Sequence, residues 1–255
     1  MPAPVNAFKE ALLDGETLYG LWVALGSPFS AELCAGAGYD WILIDGEHGP
    51  NDIPGIAAQL QAAAQKPAHP VVRIPIGETW IVKQALDIGA QTLLIPMIET
   101  ADQAEKMVKA CRYPPHGVRG VGAALARASD FGRITDYLHT ANREICVLLQ
   151  IESRAGLANL EAIASTEGVD GVFIGPADLA ADMGYLGNPG APEVVAAVED
   201  AIKRIKVLGK PAGIMSSDPT MIERALALGA GFVAVGSDVG LLSKAASRLL
   251  AEVKG

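Results

Sequence analysis

The chain is poor in aromatic residues, in cysteine and in basic side chains. Of its 255 residues, 5% are aromatic and three are cysteines, and 20 lysines and arginines face 29 aspartates and glutamates, for a formal net charge of −9. The acidic balance, with no cluster of lysine and arginine, argues against nucleic acid and anionic membranes as partners. The apolar runs are short and regularly interrupted, so none is long enough to span a bilayer.

The cysteines, Cys34, Cys111 and Cys146, are scattered along the chain without CxxC spacing. An odd, scattered set predicts reduced and mostly buried thiols rather than a zinc site or a disulfide framework. Residues 1–10 show no cationic start followed by an apolar core, so we expect no signal peptide and a cytoplasmic protein.

Half of the residues are apolar, and they recur in short runs that each follow a turn marked by glycine or aspartate. Most runs are β-branched and nearly continuous, which is typical of strands buried on both faces and therefore of a parallel sheet. The predicted strands are Leu18–Leu25, Trp41–Ile44, Val71–Ile74, Thr92–Ile95, Ile145–Ile151, Gly171–Ile174, Pro211–Met215 and Phe232–Val235.

Alanine-rich segments with helical spacing separate these runs. The predicted helices are Ser30–Ala35, Ile53–Ala64, Thr79–Ile88, Ala101–Cys111, Leu157–Ser165, Pro192–Leu208, Pro219–Leu228 and Val239–Val253. The segments 35–44, 87–96 and 228–236 share one plan, in which a helix ends at glycine and a buried strand follows. Strands that alternate with helices in this way predict an α/β fold, a single-domain (β/α)8 TIM barrel over residues 1–255, with an open doubly wound sheet as the alternative.

The longest interruption of this pattern covers residues 112–143 and contains Pro114-Pro115 and several glycines. Its segment Gly-Val-Arg-Gly-Val-Gly, residues 117–122, lacks the Lys-Ser/Thr of a P-loop and is not GxGxxG, so it is a weak nucleotide motif. Long loops are uncommon unless they have a function. We therefore predict a flexible active-site loop here, with Arg119 and Arg127 as candidate anion contacts.

Polar side chains follow the predicted strands, and the amino ends of the strands carry no comparable set. In a barrel the active site forms at the carboxyl ends of the strands, so these side chains are expected to converge there. They are Asp45, Glu47 and His48 after the second strand, Arg73 on the third, Gln150 and Glu152 at the fifth, Asp178 after the sixth, Ser216 and Ser217 after the seventh, and Ser237 and Asp238 after the eighth.

Glu152 and Asp178 come from neighbouring strand ends, so both carboxylates can point at one spot. Two carboxylates held together repel each other unless one is protonated or a cation lies between them. We favour a divalent metal ion such as Mg²⁺ or Mn²⁺ at this spot. The alternative is that both acids cap helices or form salt bridges.

Asp45, His48 and Arg73 are the candidates for proton transfer and anion binding. Asp45 lies three residues before His48, and its carboxylate can fix the histidine tautomer and raise its basicity. Arg73 can hold a carboxylate or keto oxygen and stabilise a developing enolate. The alternative is an ion pair of Arg73 with Asp45, Glu47 or Glu152, and both roles can hold at once. The remaining histidines, His69, His116 and His139, are expected in loops.

Lysine is absent from all predicted strands, and Lys210 only precedes the seventh, at the opposite end of the barrel. Imine chemistry needs an interior lysine with a lowered pKa. The lack of one argues against a Schiff-base mechanism and leaves a metal ion as the electrophile.

Six motifs stand in order along nearly the whole chain: Trp41-Ile-Leu-Ile-Asp-Gly-Glu-His-Gly, Val71-Val-Arg-Ile-Pro, Leu93-Leu-Ile-Pro-Met, Tyr113-Pro-Pro-His-Gly-Val-Arg-Gly, Leu149-Gln-Ile-Glu-Ser and Phe173-Ile-Gly-Pro-Ala-Asp-Leu. In these the chain resembles the class II, metal-dependent pyruvate aldolases of the HpcH/HpaI family, related to 4-hydroxy-2-oxoheptanedioate aldolase. Sister enzymes act on 2-keto-3-deoxygalactarate and 2-keto-3-deoxyrhamnonate. The motifs show no departure from the family pattern, so the resemblance implies an active enzyme.

The resemblance also implies roles for individual residues. Glu152 and Asp178 would hold the divalent metal ion (Mg²⁺, Mn²⁺ or Co²⁺), Arg73 would contact the keto oxygen of pyruvate, and His48 with Asp45 would transfer protons. Further substrate contacts would come from Gln150, Gly175, Pro176, Ala177, Asp178 and Ser216. Asp87 would be lent to a neighbouring subunit in a homo-hexamer, a trimer of dimers, whose C-terminal helices are exchanged between subunits.

The implied reaction is the reversible cleavage of 4-hydroxy-2-oxo acids to pyruvate and an aldehyde through a metal-stabilised pyruvate enolate. Such acids include 4-hydroxy-2-oxoheptanedioate and 2-keto-3-deoxy sugar acids. One alternative is an acyl-CoA lyase of the malyl or citramalyl kind, which needs a basic groove for the CoA phosphates. The other is a non-catalytic metabolite-binding barrel, which leaves the polar strand ends unexplained. The basic groove could draw only on Arg112, Arg119, Arg127 and Arg133.

Overall fold

Eight parallel strands form a closed barrel in the computed structural model, which describes residues 1–254. The strands pair in chain order, and β8 closes the barrel on β1. This confirms the predicted (β/α)8 TIM barrel. The strands are β1 (Leu18–Val23), β2 (Trp41–Asp45), β3 (His69–Arg73), β4 (Thr92–Ile95), β5 (Cys146–Ile151), β6 (Gly171–Ile174), β7 (Ala212–Met215) and β8 (Phe232–Ser237).

Helices cover the outside of the barrel, and several begin where the sequence predicts. Asp52 and Asp218 accept hydrogen bonds from backbone N–H groups of the first turn, and Thr100 forms a capping box with Gln103. The helices are α1 (Ala7–Leu13), α2 (Pro28–Ala35), α3 (Ile53–Ala63), α4 (Thr79–Asp87), α5 (Ala101–Cys111), α6 (Tyr137–Glu144), α7 (Arg154–Ala158), α8 (Leu160–Ala164), α9 (Pro176–Asp182), α10 (Pro192–Val207), α11 (Pro219–Ala227) and α12 (Asp238–Lys254).

Three of these helices, α1, α6 and α9, were not predicted from the sequence. The single helix predicted over Leu157–Ser165 is instead two short ones, which meet at Asn159. α1 is short and lies before the first strand, where the repeating pattern has no counterpart.

A cluster of five aromatic residues, Phe8, Trp22, Trp41, Phe173 and Phe232, lies inside the barrel. Phe8 of α1 stacks on His69 and makes edge contacts with Trp41 and Phe232, so that α1 closes the amino end of the barrel. Aliphatic side chains of the strands face outward and pack against the helices. The amino end is therefore filled, and the open end of the barrel is the one where the polar side chains lie.

The segment 112–143 packs against the end of α5 rather than over the open end of the barrel. The backbone N–H of Val118 donates to the carbonyl of Lys109, and that of Arg119 donates to Arg112. Because α5 runs antiparallel to the strands, its last turn lies at their amino ends. The prediction of an active-site loop is therefore wrong for the site of the same chain.

Two of the histidine predictions are also wrong, while the cysteine prediction is confirmed. His69 is the first residue of β3 and His139 lies in α6, whereas His116 is in a turn. The three cysteines are free and buried. Among residues 1–254, no helix is both long and apolar enough to cross a membrane.

Candidate active site

A cavity of about 360 Å³ opens at the carboxyl ends of the strands. Most of the predicted site residues line it: His48, Arg73, Gln150, Glu152, Gly175, Pro176, Ala177, Asp178 and Ser216. Its size and its mixture of apolar walls and a few polar groups are typical of small-molecule sites. Of the other two predicted residues, Asp45 lies behind Arg73 and Asp87 lies elsewhere.

Asp45 and Arg73 end two neighbouring strands and pair in register across β2 and β3. The Nε and Nη2 groups of Arg73 donate to the two carboxylate oxygens of Asp45 at 2.9 and 2.7 Å. Although burial alone would raise the pKa of Asp45, the hydrogen bonds and charge of Arg73 lower it below the ordinary aspartate value. Asp45 is therefore a fixed anion that orients the guanidinium.

Asp45 does not orient the imidazole of His48 in the way the sequence suggested. Its Oδ1 accepts the backbone N–H groups of Glu47 at 3.0 Å and His48 at 3.3 Å, and the described residues provide no hydrogen bond from Asp45 to the His48 ring. His48 is exposed at the mouth of the cavity, where its ring can reach a bound molecule.

Glu47 is the second acid that contacts Arg73. Its Oε2 lies 2.8 Å from Nη1 of Arg73, so that Arg73 is held between two acids. Burial raises the pKa of Glu47 above the ordinary value, and the charge of Arg73 only partly offsets this. Ion pairs of Arg73 with Asp45 and with Glu47 are two of the three alternatives predicted from the sequence, and the third, with Glu152, is not formed between these described residues.

Glu152 is held firmly at the floor of the cavity. Its Oε1 accepts the backbone N–H of Met97 at 2.9 Å, and its Oε2 accepts a short hydrogen bond from the side-chain amide of Gln150. Burial raises the pKa of Glu152 to about 6, and the negative charges of Glu47 and Asp178 add to this effect.

The donor set at this place fits a divalent cation. Glu152 and Asp178 supply carboxylate oxygens from adjacent strand ends, and the buried Oε1 of Gln150 has no hydrogen-bond partner in the structure. Oxygen donors of this kind suit hard cations that keep positions open for water and substrate. No group of three or more His, Cys, Asp or Glu side chains arranged as a metal site exists within residues 1–254.

Asp87 is far from the cavity of its own chain. It is the last residue of α4, which runs antiparallel to the strands and so ends near their amino termini. Its Oδ1 accepts a hydrogen bond of 2.8 Å from Arg119, whose buried guanidinium stacks on Tyr113 and Tyr137. Asp87 can therefore contribute to an active site of this kind only if that site belongs to another subunit.

The other lining residues were not predicted as parts of the site. They are Trp22, Phe173, Pro189, Gly190, Met215, Asp218 and Met221. Ser217 also lines the cavity and was among the strand-end residues expected there. Trp22, Phe173 and Met215 were visible as strand residues, but the sequence does not show which side of a fully buried strand faces the interior. Pro189 and Gly190 lie in a loop that carries no recognisable signal.

The arginines available for a CoA-binding groove are engaged elsewhere and line no part of the cavity. Arg112 donates to the carbonyl of Ile145 and Arg127 to that of Ile88. Arg133 pairs with Asp130, and Arg119 is buried.

Comparison with known proteins identifies the family. Residues 18–245 match the model of the HpcH/HpaI aldolase/citrate lyase family. The chain is 57% identical to a hydroxypyruvate/pyruvate aldolase of Pseudomonas aeruginosa, over 100% of this chain and 95% of that protein. It is 56% identical to a 4-hydroxy-2-oxo-heptane-1,7-dioate aldolase of Salmonella dublin, over 96% and 94% of the two chains.

The structures agree with the sequences. A crystal structure of a family protein from Burkholderia cenocepacia J2315 superposes with a TM-score of 0.95 at 44% identity, and covers 98% of this chain and 100% of that one. The aldolases of this family are carbon–carbon lyases that depend on a divalent metal ion. With its closed barrel and a polar cavity at the carboxyl ends of the strands, the chain belongs to the HpcH/HpaI aldolase/citrate lyase family and is an aldolase.

Proposed function

We propose that this aldolase cleaves 4-hydroxy-2-oxo acids reversibly to pyruvate and an aldehyde. The observation that carries the proposal is one cavity in which Arg73 lies near the carboxylates of Glu152 and Asp178. Arg73 can bind an oxygen atom of a 2-oxo acid directly. The carboxylates of Glu152 and Asp178 can bind a metal ion that holds the same acid. The names of the relatives from Pseudomonas aeruginosa and Salmonella dublin, both 2-oxo-acid aldolases, support the same chemistry.

Glu152 and Asp178 would hold the divalent metal ion, with Mg²⁺, Mn²⁺ and Co²⁺ as candidates because two carboxylates and water accept several such ions. When bound, the ion supplies Lewis acidity toward the carbonyl group of the oxo acid. Gln150 and the backbone of Met97 hold Glu152 in place for this task.

Arg73 would bind the keto oxygen of the substrate and stabilise the negative charge that develops there. A guanidinium has five N–H donors. Asp45 takes two of them and Glu47 a third, on Nη1, which leaves two donors for the substrate. Because the strand ends fix the guanidinium beforehand, little reorganisation is needed as charge develops.

His48 would move the proton between the methyl group of pyruvate and the solvent-exposed mouth of the cavity, directly or through a water molecule. An imidazole titrates near neutral pH and can act in both directions of the reaction. The pyruvate carboxylate would lie at the Gly175–Ala177 turn at the start of α9. Pro176 lacks an N–H group, so the N–H groups of Ala177 and Asp178 remain for the carboxylate.

Trp22, Phe173 and Met215 form an apolar wall beside Arg73. Such a wall excludes water and strengthens the electrostatic contacts of the developing enolate. The hydroxyl of Ser216, at the end of β7, would contact the substrate from the opposite part of the lining.

We further propose a homo-oligomer, a hexamer built as a trimer of dimers, in which α12 is exchanged between subunits. Residues 241–254 are exposed in the single chain, and they include Leu241, Leu242, Leu249, Leu250 and Val253. A helix with this many exposed apolar side chains is expected to pack against another surface. The placement of Asp87 at the distant end of its own barrel agrees with a role in another subunit. The three buried free thiols support a cytoplasmic location, and residues 1–255 would act as one catalytic domain.

The first test follows the methyl protons of pyruvate by proton NMR in D₂O. Chelator-treated protein is compared with protein that has been given Mg²⁺, Mn²⁺ or Co²⁺, with paramagnetic ions removed before recording. We expect metal-dependent loss of the methyl signal, since enolisation precedes attack on any aldehyde. Absence of exchange with all three ions would refute pyruvate as the donor. Cleavage of a malyl-type thioester in place of free 2-oxo acids would favour the acyl-CoA lyase.

A further inference from the structure

Met97 has an unusual backbone conformation at the edge of the active site. It follows β4 and Pro96, and its φ is 56°, in the left-handed region. Residues other than glycine rarely adopt this region, and Asn and Asp are the usual exceptions. Within residues 1–254 the other non-glycine residues with positive φ, Asp130 and Phe131, lie in the long loop away from the cavity.

The left-handed turn redirects the end of β4 toward the floor of the cavity. The ladder between β4 and β5 ends at the pair Ile95 and Leu149. Pro96 has no N–H to donate, and the next two N–H groups then contact two different acceptors, one directly after β5 and one on β5. Met97 donates to Oε1 of Glu152 at 2.9 Å, and Ile98 donates to the carbonyl of Gln150 at 3.0 Å.

The remaining contacts of Glu152 complete this arrangement. The amide of Gln150 holds Oε2, and Gly175 leaves the space that the carboxylate occupies. A Cβ atom at Gly175 would lie 2.5 Å from Oε2 of Glu152 and 3.0 Å from its Cβ. The direction in which Glu152 faces the cavity is thus set by the backbone N–H of Met97, the side-chain amide of Gln150 and the space left because Gly175 has no side chain.

We propose that Met97 is a positioning residue for Glu152 and that it acts through its backbone conformation. The Met97 side chain is 52% exposed, and no hydrogen bond or ion pair involves it. What the site uses is the N–H group, which points at Glu152 only while residue 97 stays left-handed. The effect on metal binding rests on the proposed function, since Glu152 is there a metal ligand.

The test compares three substitutions at one position. Met97→Gly keeps the left-handed conformation without strain, Met97→Ala removes the side chain with the same backbone preference as methionine, and Met97→Val disfavours positive φ strongly. Binding of Mn²⁺ to the chelator-treated protein is measured by calorimetry. We expect Met97→Val to weaken Mn²⁺ binding about tenfold, in the range typical of groups that orient a metal ligand, and Met97→Gly and Met97→Ala to stay within about threefold.

A merely structural turn would lower the melting temperature in Met97→Val and leave the Mn²⁺ dissociation constant unchanged, and that result would overturn the proposal. Equal loss of affinity in Met97→Ala would also overturn it, because the side chain would then be responsible.

A second measurement needs no metal and no variant at Met97. Hydrogen–deuterium exchange of the Met97 amide is followed in metal-free wild-type protein and in Glu152→Ala, with the neighbouring Ile98 amide as the internal control. We expect the Met97 amide to exchange faster in Glu152→Ala than in wild-type protein, and the Ile98 amide to exchange at the same rate in both. Unchanged exchange at Met97 would overturn the positioning role. If wild-type protein bound no Mn²⁺ while this amide still responded, the proposed function would fail and the positioning of Glu152 would stand.

Discussion

The indole N–H of Trp22 donates to Oδ2 of Asp45 at 3.1 Å, and the Trp22 ring lies under the guanidinium of Arg73 with 5.1 Å between its centroid and Cζ. Trp22 thus contacts both partners of the Asp45–Arg73 ion pair. The three residues come from β1, β2 and β3, so the barrel itself places them side by side. This three-strand unit presents a fixed cation to the cavity.

Replacement of Arg73 tests the role of that cation. Arg73→Ala is expected to slow metal-dependent proton exchange of pyruvate by a factor on the order of 10² to 10³, the usual cost of removing a donor to a developing oxyanion. Proton NMR measures the exchange. Mn²⁺ affinity is expected to stay near normal, since Arg73 contacts neither Glu152 nor Asp178.

Because Arg73→Ala leaves Asp45 and Glu47 buried without a counter-charge, its stability is also expected to fall. Arg73→Lys keeps the charge and serves as the matched control. A lysine cannot bridge Asp45 and the keto oxygen in the same way, so its exchange is expected to be slowed too, in a more stable protein. Wild-type exchange rates in Arg73→Ala would contradict the role given to this residue.

Trp22→Phe removes the donor to Asp45 while keeping an aromatic ring in place. Asp45 retains both bonds to Arg73, so we expect a smaller effect than in Arg73→Ala, a loss of kcat of about tenfold for one lost hydrogen bond to a charged group. Trp80→Phe is the control, because Trp80 is 56% exposed and lies outside the cavity.

Tryptophan fluorescence gives a second reading of the same pair of variants. Trp22 lines the cavity, so a bound 2-oxo acid is expected to change its emission. The change should persist in Trp80→Phe and disappear in Trp22→Phe. Persistence of the full change in Trp22→Phe would place the bound acid away from the β1 side of the cavity.

The strand ends were predictable, and the contacts between them were not. Periodicity and turn residues located all eight strands, and barrel topology then gathers residues such as Arg73 and Gln150 at one end. Which acid Arg73 contacts depends on side-chain direction within β2 and β3. The sequence offered Asp45 as a partner of His48 and also as one of three acids that could pair with Arg73, and the register places it on Arg73.

Backbone geometry was the other source of missed features. The residue type at position 97 does not indicate a left-handed turn, because methionine does not favour that conformation. The loop over residues 112–143 was placed at the site from its length and glycines alone. Two backbone hydrogen bonds anchor it at the end of α5, and the side chains of Arg119 and Arg127 bond to Asp87 and to the carbonyl of Ile88. The length and the glycines of the segment do not indicate any of these partners.

His69 couples the stability of the barrel to pH. Burial lowers the pKa of His69 to about 4, below the ordinary value of 6.5, and Nε2 lies 2.9 Å from Oγ1 of Thr92. The unfolded chain therefore binds more protons between these two pKa values, so stability is complete above about pH 6.5 and falls as the pH drops toward 4. Since the residue is only partly buried, we expect a contribution of about 1–3 kcal/mol.

Urea unfolding at a series of pH values measures this dependence. His69→Phe removes the titrating group and keeps a ring against Phe8, so its stability is expected to fall less steeply between pH 6.5 and 4. His139→Gln is the control, because His139 is exposed on α6. If stability fell equally steeply with pH in wild type and His69→Phe, groups other than His69 would cause the loss of stability at acid pH.

Gly213 makes room for an aromatic ring inside the barrel. It pairs in register with Phe173 on one side and Phe232 on the other, and a Cβ atom at Gly213 would overlap the Phe232 ring. The ring is closely surrounded, so Gly213→Ala is expected to destabilise the protein by about 1–3 kcal/mol, as overpacking of a core does. Thermal unfolding should show a lower melting temperature.

Gly36→Ala is the matched control for this substitution. Gly36 ends α2 with an ordinary φ of −89°, and a Cβ atom there would come no closer than 3.6 Å to a neighbouring atom. An alanine fits such a position and reduces the freedom of the unfolded chain, so the melting temperature is expected to stay the same or rise slightly. If both variants lost the same stability, the loss would come from glycine replacement in general, and the Phe232 ring would not be the cause.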